Sequence, residues 1–182
     1  PGPGYAGNRH NVGQMVLDAL AERVGARLSR HRTTTMLAEA RLRPGGPKLI
    51  LAKPLSYMNT SGGPVTAAAK YFGIAPDRII VVHDDLDLPF ETLRLKQGGG
   101  HGGQNGVRDI IKALGTPDFV RVRVGIGRPP GQQSAADYVL RDFPASERAA
   151  LPFVLDEAAD AIERIIDDGL VAAQQRHHAP KA

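Results

Sequence analysis

Histidine, aspartate, asparagine and glycine concentrate in four short stretches of this 182-residue chain. They are Tyr5-Ala6-Gly7-Asn8-Arg9-His10-Asn11, Tyr57-Met58-Asn59-Thr60-Ser61-Gly62, His83-Asp84-Asp85-Leu86-Asp87 and the run from Gly98 to Gly106. A histidine becomes a general base when a carboxylate accepts its Nδ1–H, fixes the tautomer and leaves Nε2 free to take a proton. His10 and Asp84 are the candidates for that pair. Asp84 closes the most apolar run of the chain, Ile79-Ile80-Val81-Val82, and a carboxylate at the end of a buried strand needs a partner. A lone histidine near a helix start is more often structural, so the pairing carries the reading. No Gly-x-Ser-x-Gly is present, which favours direct attack by water over a covalent intermediate. The third stretch has a second reading. Its histidine and three carboxylates, His83, Asp84, Asp85 and Asp87, suit Mg²⁺ or Mn²⁺ in a phosphoesterase. Strand alternation and the turn-like Asp87-Leu88-Pro89 work against their convergence.

The fourth stretch is Gly98-Gly99-Gly100-His101-Gly102-Gly103-Gln104-Asn105-Gly106, followed at once by the helical spacing of Val107, Ile110, Ile111 and Leu114. Such a segment is costly in folding entropy and lets another molecule approach the backbone. Its exit into a helix presents free N–H groups that favour negative charge. A flexible surface loop is the plain alternative.

Several elements must hold these stretches. Val12, Met15, Val16, Ala19, Leu20 and Val24 recur at helical spacing, with Asn11 placed to cap the first turn. Residues 33–42 and 48–52 are β-prone and joined by Pro44-Gly45-Gly46-Pro47, a hairpin pattern. A helix opens at Ser61, carries Val65, Ala68, Ala69 and Phe72 on one face, and stops at Gly73. The run 79–82 reads as a strand buried on both faces, and 92–96 and 119–126 alternate as strands. Helices are expected over 135–141 and 147–170, with a frayed tail at 174–182. Interleaved helices and strands mean an α/β class in a single domain over 1–182, with antiparallel pairing at the hairpins. In such sheets ligands bind beyond the carboxyl ends of strands, where the polar stretches fall.

Composition narrows the function. A net charge of +4 and a pI near 9.6 favour an anionic partner, nucleic acid first. The chain has no cysteine, which excludes disulfides and thiolate zinc sites and fits a reducing cytosol. No apolar run reaches membrane-spanning length and no signal peptide heads the chain. Pro1-Gly2-Pro3-Gly4 is turn chemistry with no element before it, so further residues are expected upstream.

The four stretches, with Lys53-Pro54-Leu55-Ser56 leading into the second and Leu88-Pro89 closing the third, resemble bacterial peptidyl-tRNA hydrolases in order and spacing over nearly the whole chain. That resemblance implies a three-layer α/β/α fold of phosphorylase/hydrolase-like type, with a mixed, mostly parallel sheet. It implies a cytoplasmic monomer that needs no metal or other cofactor and cleaves the ester between a peptide and the terminal ribose of tRNA. Peptidyl-tRNA is then the partner, and no membrane is involved. Under the resemblance His10 is the catalytic base and Asp84 orients and stabilises it. Asn59 and Asn105 lie in the substrate site, and Tyr5 and Tyr57 contact the tRNA end. Lys96 and Arg123 hold the 5′-phosphate. The family's first strand and its Gly-x-x-Asn-Pro-Gly motif would lie upstream, since the chain starts at that proline, Pro1. A non-catalytic RNA-binding module and a metal-dependent phosphoesterase are the other readings.

Overall fold

The computed structural model describes residues 6–178. A 3-10 turn, Arg9–Asn11, leads into α1 (Val12–Arg23). Three strands follow, β1 (Ser29–His31), β2 (Thr35–Arg41) and β3 (Lys48–Pro54), forming an antiparallel sheet in the order β1-β2-β3. A second 3-10 turn, Met58–Thr60, precedes α2 (Gly62–Phe72). Next come β4 (Ile80–Asp85), β5 (Leu93–Gln97), α3 (Asn105–Leu114) and β6 (Val120–Gly125). These strands pair in the order β4-β6-β5, with β4 parallel and β5 antiparallel to β6. The chain ends in α4 (Ala135–Val139), α5 (Ala145–Arg148), α6 (Leu151–Asp168) and α7 (Leu170–His177).

The β4-β6-β5 sheet lies between two helical layers: β4 is apolar on both faces over Ile80–Val82, whereas β5 and β6 alternate, with apolar side chains on one face and basic ones on the other. On one face Val122 and Val124 of β6 and Leu93 and Leu95 of β5 share a buried cluster with Val12, Val16 and Leu20 of α1 and with Ala158, Ala159 and Ile162 of α6. On the other face Val107 and Ile110 of α3 pack with Phe119, Ile79 and Val81. Gly13 is required at the start of α1. A Cβ there would collide with the Val82 carbonyl, so the helix that follows the first polar stretch lies directly against β4.

The α/β class and mixed pairing expected from the sequence are present, but the expected predominance of parallel strands is not. Among the described residues only β4 and β6 pair in parallel. The turn between β2 and β3 is too short for a crossover and forces antiparallel pairing, and β1 adds a further antiparallel edge that periodicity missed. Asn11 occupies the position before α1 but does not cap it; its Nδ2 donates to the Ala6 carbonyl at 3.0 Å. The helix expected over 147–170 is divided into α5 and α6, and Gly169 at φ 90° separates α6 from α7.

Residues 174–177, expected to fray, form the last turn of α7. The Gln174 amide donates to the Leu95 carbonyl and His178 Nε2 accepts the Leu95 N–H, both at 2.9 Å. These side chains satisfy the outer edge of β5 as a neighbouring strand would. Residues 179–182 of the expected tail lie outside the described residues.

Candidate active site

The first polar stretch is fixed by Arg9. Its guanidinium lies 4.0 Å from the Tyr138 ring centroid, its Nη1 donates to the Tyr138 carbonyl at 3.3 Å, and its backbone N–H bonds the Arg141 carbonyl at 3.0 Å. The turn anchored this way carries His10 to the end of β4. His10 Nδ1 lies 2.8 Å from Asp84 Oδ2, and Asp84 is only 3 % exposed. With Nδ1–H donating to the carboxylate, Nε2 is the basic nitrogen. The expected pairing of two residues 74 positions apart is therefore present.

The four potential cation ligands diverge. Asp84 faces His10; Asp85 Oδ2 accepts from Arg123 Nε at 2.8 Å; Asp87 Oδ1 accepts from Arg128 Nη2 at 2.5 Å. His83 is buried beside them, its Nδ1 2.8 Å from the Asp84 carbonyl, and burial lowers its pKa below the ordinary histidine value. Among the described residues no group of three such side chains is arranged to hold a metal ion. With each carboxylate already matched to its own partner, the donor set does not fit a metal-dependent phosphoesterase.

Asn59 is exposed in the turn Met58–Thr60, which is closed by hydrogen bonds from Ser61 Oγ to the Met58 carbonyl (2.7 Å) and from Thr60 Oγ1 to the Tyr57 carbonyl (3.0 Å). Tyr57, just before it, is 70 % exposed and free to meet a ligand. Asn105 is the exposed first residue of α3. The turn and the start of α3 pack together. Gly106 permits this: a Cβ there would stand 2.6 Å from Met58 Sδ. Tyr5 lies outside the described residues.

Gln104 was not anticipated. Its Oε1 accepts the Val107 N–H at 2.8 Å, and its Nε2 reaches Asp84 Oδ1 at 2.9 Å and Met58 Sδ at 3.3 Å. The available signal was a glutamine directly before a helix, where shorter polar residues are preferred as caps. Gln104, Met58 and His10 also help line an apolar cleft of about 210 Å³, with Pro54 of β3 and Val82 of β4.

The glycine loop is shaped by left-handed backbone at Gly98, Gly99, Gly102 and Gly103, with φ between 61° and 86°. Arg121, 1 % exposed, reaches up from β6 and donates to the carbonyls of Gly99, Gly100 and Pro117. Lys96 and Arg123, the expected phosphate ligands, share this face of the sheet. The register sets Lys96 opposite Arg121 and Arg94 opposite Arg123. Burial, followed by the charges of Arg121 and Arg123, lowers the Lys96 pKa below the ordinary lysine value. Crowded cations with one carboxylate, Asp85, among them make a face that an anion would relieve.

Known proteins resemble this chain over nearly its whole length. A peptidyl-tRNA hydrolase of Paenarthrobacter aurescens is 59 % identical over 182 residues, covering 100 % of this chain and 94 % of that one. One from Frankia alni is 60 % identical over 179 residues, covering 98 % of this chain and 90 % of that one. The crystal structure of a peptidyl-tRNA hydrolase from Acinetobacter baumannii superposes with a TM-score of 0.89 at 34 % identity, covering 100 % of this chain and 91 % of that one. The family model for peptidyl-tRNA hydrolase matches residues 1–182, and the chain belongs to that family.

Proposed function

We propose that this enzyme hydrolyses the ester between a peptide and the 3′-terminal ribose of tRNA, with His10 activating the attacking water. The observation that carries the mechanism is the 2.8 Å contact between His10 Nδ1 and Asp84 Oδ2. Asp84 holds the imidazole in the tautomer that leaves Nε2 as acceptor. Nε2 removes a proton from water as the oxygen attacks the ester carbonyl, and Asp84 stabilises the imidazolium that forms. The proton then passes to the ribose oxygen as it leaves. Asn59 and Asn105 offer uncharged donors for the substrate carbonyl, and the free N–H groups at the start of α3 favour the charge developing on its oxygen. Tyr5 and Tyr57 contact the tRNA end, and Lys96 and Arg123 take its 5′-phosphate. No step draws on a metal or other cofactor.

We propose that it acts as a monomer, and a substrate made in translation supports a cytoplasmic setting. Among the described residues no helix is long and apolar enough to cross a membrane.

The test is hydrolysis of purified peptidyl-tRNA by the wild type and by His10→Ala, with and without EDTA. The expected result is EDTA-resistant turnover by the wild type and none by the folded variant, while tRNA binding persists. Near-normal turnover by a folded His10→Ala would remove the base assignment, and tRNA binding without turnover by the wild type would favour a non-catalytic RNA-binding role. Loss of wild-type activity in EDTA, restored by Mg²⁺, would favour metal-assisted chemistry.

A further inference from the structure

Gln104 sits at a junction that helix capping alone does not require. Asparagine, serine, threonine and aspartate are the favoured residues before a helix, because a short side chain reaches the N–H groups of the first turn without strain. Gln104 caps α3 through Oε1, as an asparagine would, but is one methylene longer. The added length places Nε2 2.9 Å from Asp84 Oδ1, the carboxylate oxygen that His10 does not occupy. The amide orientation is fixed by chemistry: the oxygen faces an N–H donor and the nitrogen faces a carboxylate. Nε2 also lies 3.3 Å from Met58 Sδ, next to Asn59, while Gln104 itself precedes Asn105. One buried side chain thus connects Asp84 with the two elements that carry the substrate asparagines.

We propose that Gln104 is a positioning residue. It holds the Asp84 carboxylate in the rotation that presents Oδ2 to His10, and keeps that pair in register with Asn59 and Asn105. The inference rests on the reading of His10 and Asp84 as the reacting pair. A carboxylate bonded through both oxygens cannot turn about its own axis, whereas one bonded only to His10 can swing the imidazole with it.

The test separates capping from positioning. Gln104→Asn keeps a good cap and loses the reach to Asp84. Gln104→Glu keeps the reach but sets a carboxylate against a carboxylate. For both variants kcat for peptidyl-tRNA should fall about tenfold or more, as misplacement of a catalytic group requires, with KM changed less than about twofold. The melting temperature of Gln104→Asn should fall by only a few degrees, since the cap is kept while one hydrogen bond to the buried Asp84 carboxylate is lost, so the variant stays folded while kcat drops and KM is held. In an Asp84→Asn background, Gln104→Asn should cost less than about twofold, because the carboxylate it positions is gone. Full activity of a folded Gln104→Asn, or a loss of the same size in both backgrounds, overturns the proposal. Full activity of Asp84→Asn by itself would instead overturn the catalytic-pair reading and this inference with it.

Discussion

Asp84→Asn is the sharpest test of the reaction scheme because the replacement is nearly isosteric and both carboxylate oxygens are occupied. Oδ2 takes His10 Nδ1–H at 2.8 Å and Oδ1 takes the Gln104 amide at 2.9 Å. An asparagine supplies one acceptor where two donors converge. If its oxygen faces His10, its NH₂ opposes the Gln104 NH₂. If it turns over, its NH₂ faces Nδ1, which must then accept, and the proton moves to Nε2, where the base is needed. Either arrangement removes the negative charge that stabilises the imidazolium. Opposite charges about 4 Å apart interact by about 4 kcal/mol at the effective dielectric of a protein site. Taking about 3–4 kcal/mol as the loss from the transition state gives a fall in kcat of about 10²–10³. Single-turnover hydrolysis at saturating enzyme isolates the chemical step, and tRNA binding, which does not involve Asp84, should change little. Turnover within threefold of wild type by a folded Asp84→Asn would refute the reasoning, since no arrangement of the amide preserves both the charge and the tautomer.

Two further outcomes follow from the charges. The Lys96→Ala/Arg123→Ala double variant should bind tRNA more weakly, with the salt dependence of binding reduced by about one unit of slope per lost phosphate contact, while saturated turnover is largely retained; an unchanged slope would place the phosphate elsewhere. Stability should fall on acidification. Burial lowers the folded pKa of His83, and also of His178, whose Nε2 accepts the Leu95 N–H, so below the ordinary histidine value the unfolded chain binds more protons and stability decreases as pH falls. For buried His83 one such proton is worth about 1.4 kcal/mol per pH unit, or roughly 3–5 °C in Tm for a chain of this size, with less from the more exposed His178, and His83→Leu should flatten its share of the Tm-against-pH curve between pH 7 and 5.5.

Much of the local structure was legible in the residues themselves. The apolar run before Asp84 predicts β4, and Gly73 at φ 67° ends α2 where the spacing stops. The glycine density of the fourth stretch predicts the left-handed backbone observed at Gly98, Gly99, Gly102 and Gly103. These are properties of short segments, where periodicity and allowed dihedrals act over a few residues. The pairing of His10 with Asp84 was also within reach, because both are the kind of group that burial obliges to find a partner. Resemblance to known sequences then supplied roles that residue types alone leave open.

Other features depended on packing between distant segments. Asp84, Asp85 and Asp87 are equivalent as residue types, and only the twist and end of β4 send one to His10, one to Arg123 and one to Arg128. The role of Gln104 was hidden for the same reason: its cap partner is three residues away, but its partner Asp84 is 20 positions away across the β4 end. The last turn of α7 looks polar and loose in isolation, and becomes an edge cover only because β5 leaves the Leu95 N–H and carbonyl open beside it. The sequence determined which groups were available and the local path of the backbone around them. The tertiary structure decided which group meets which, because hydrogen bonds and ion pairs act over about 3 Å while the residues that make them lie tens of positions apart along the chain.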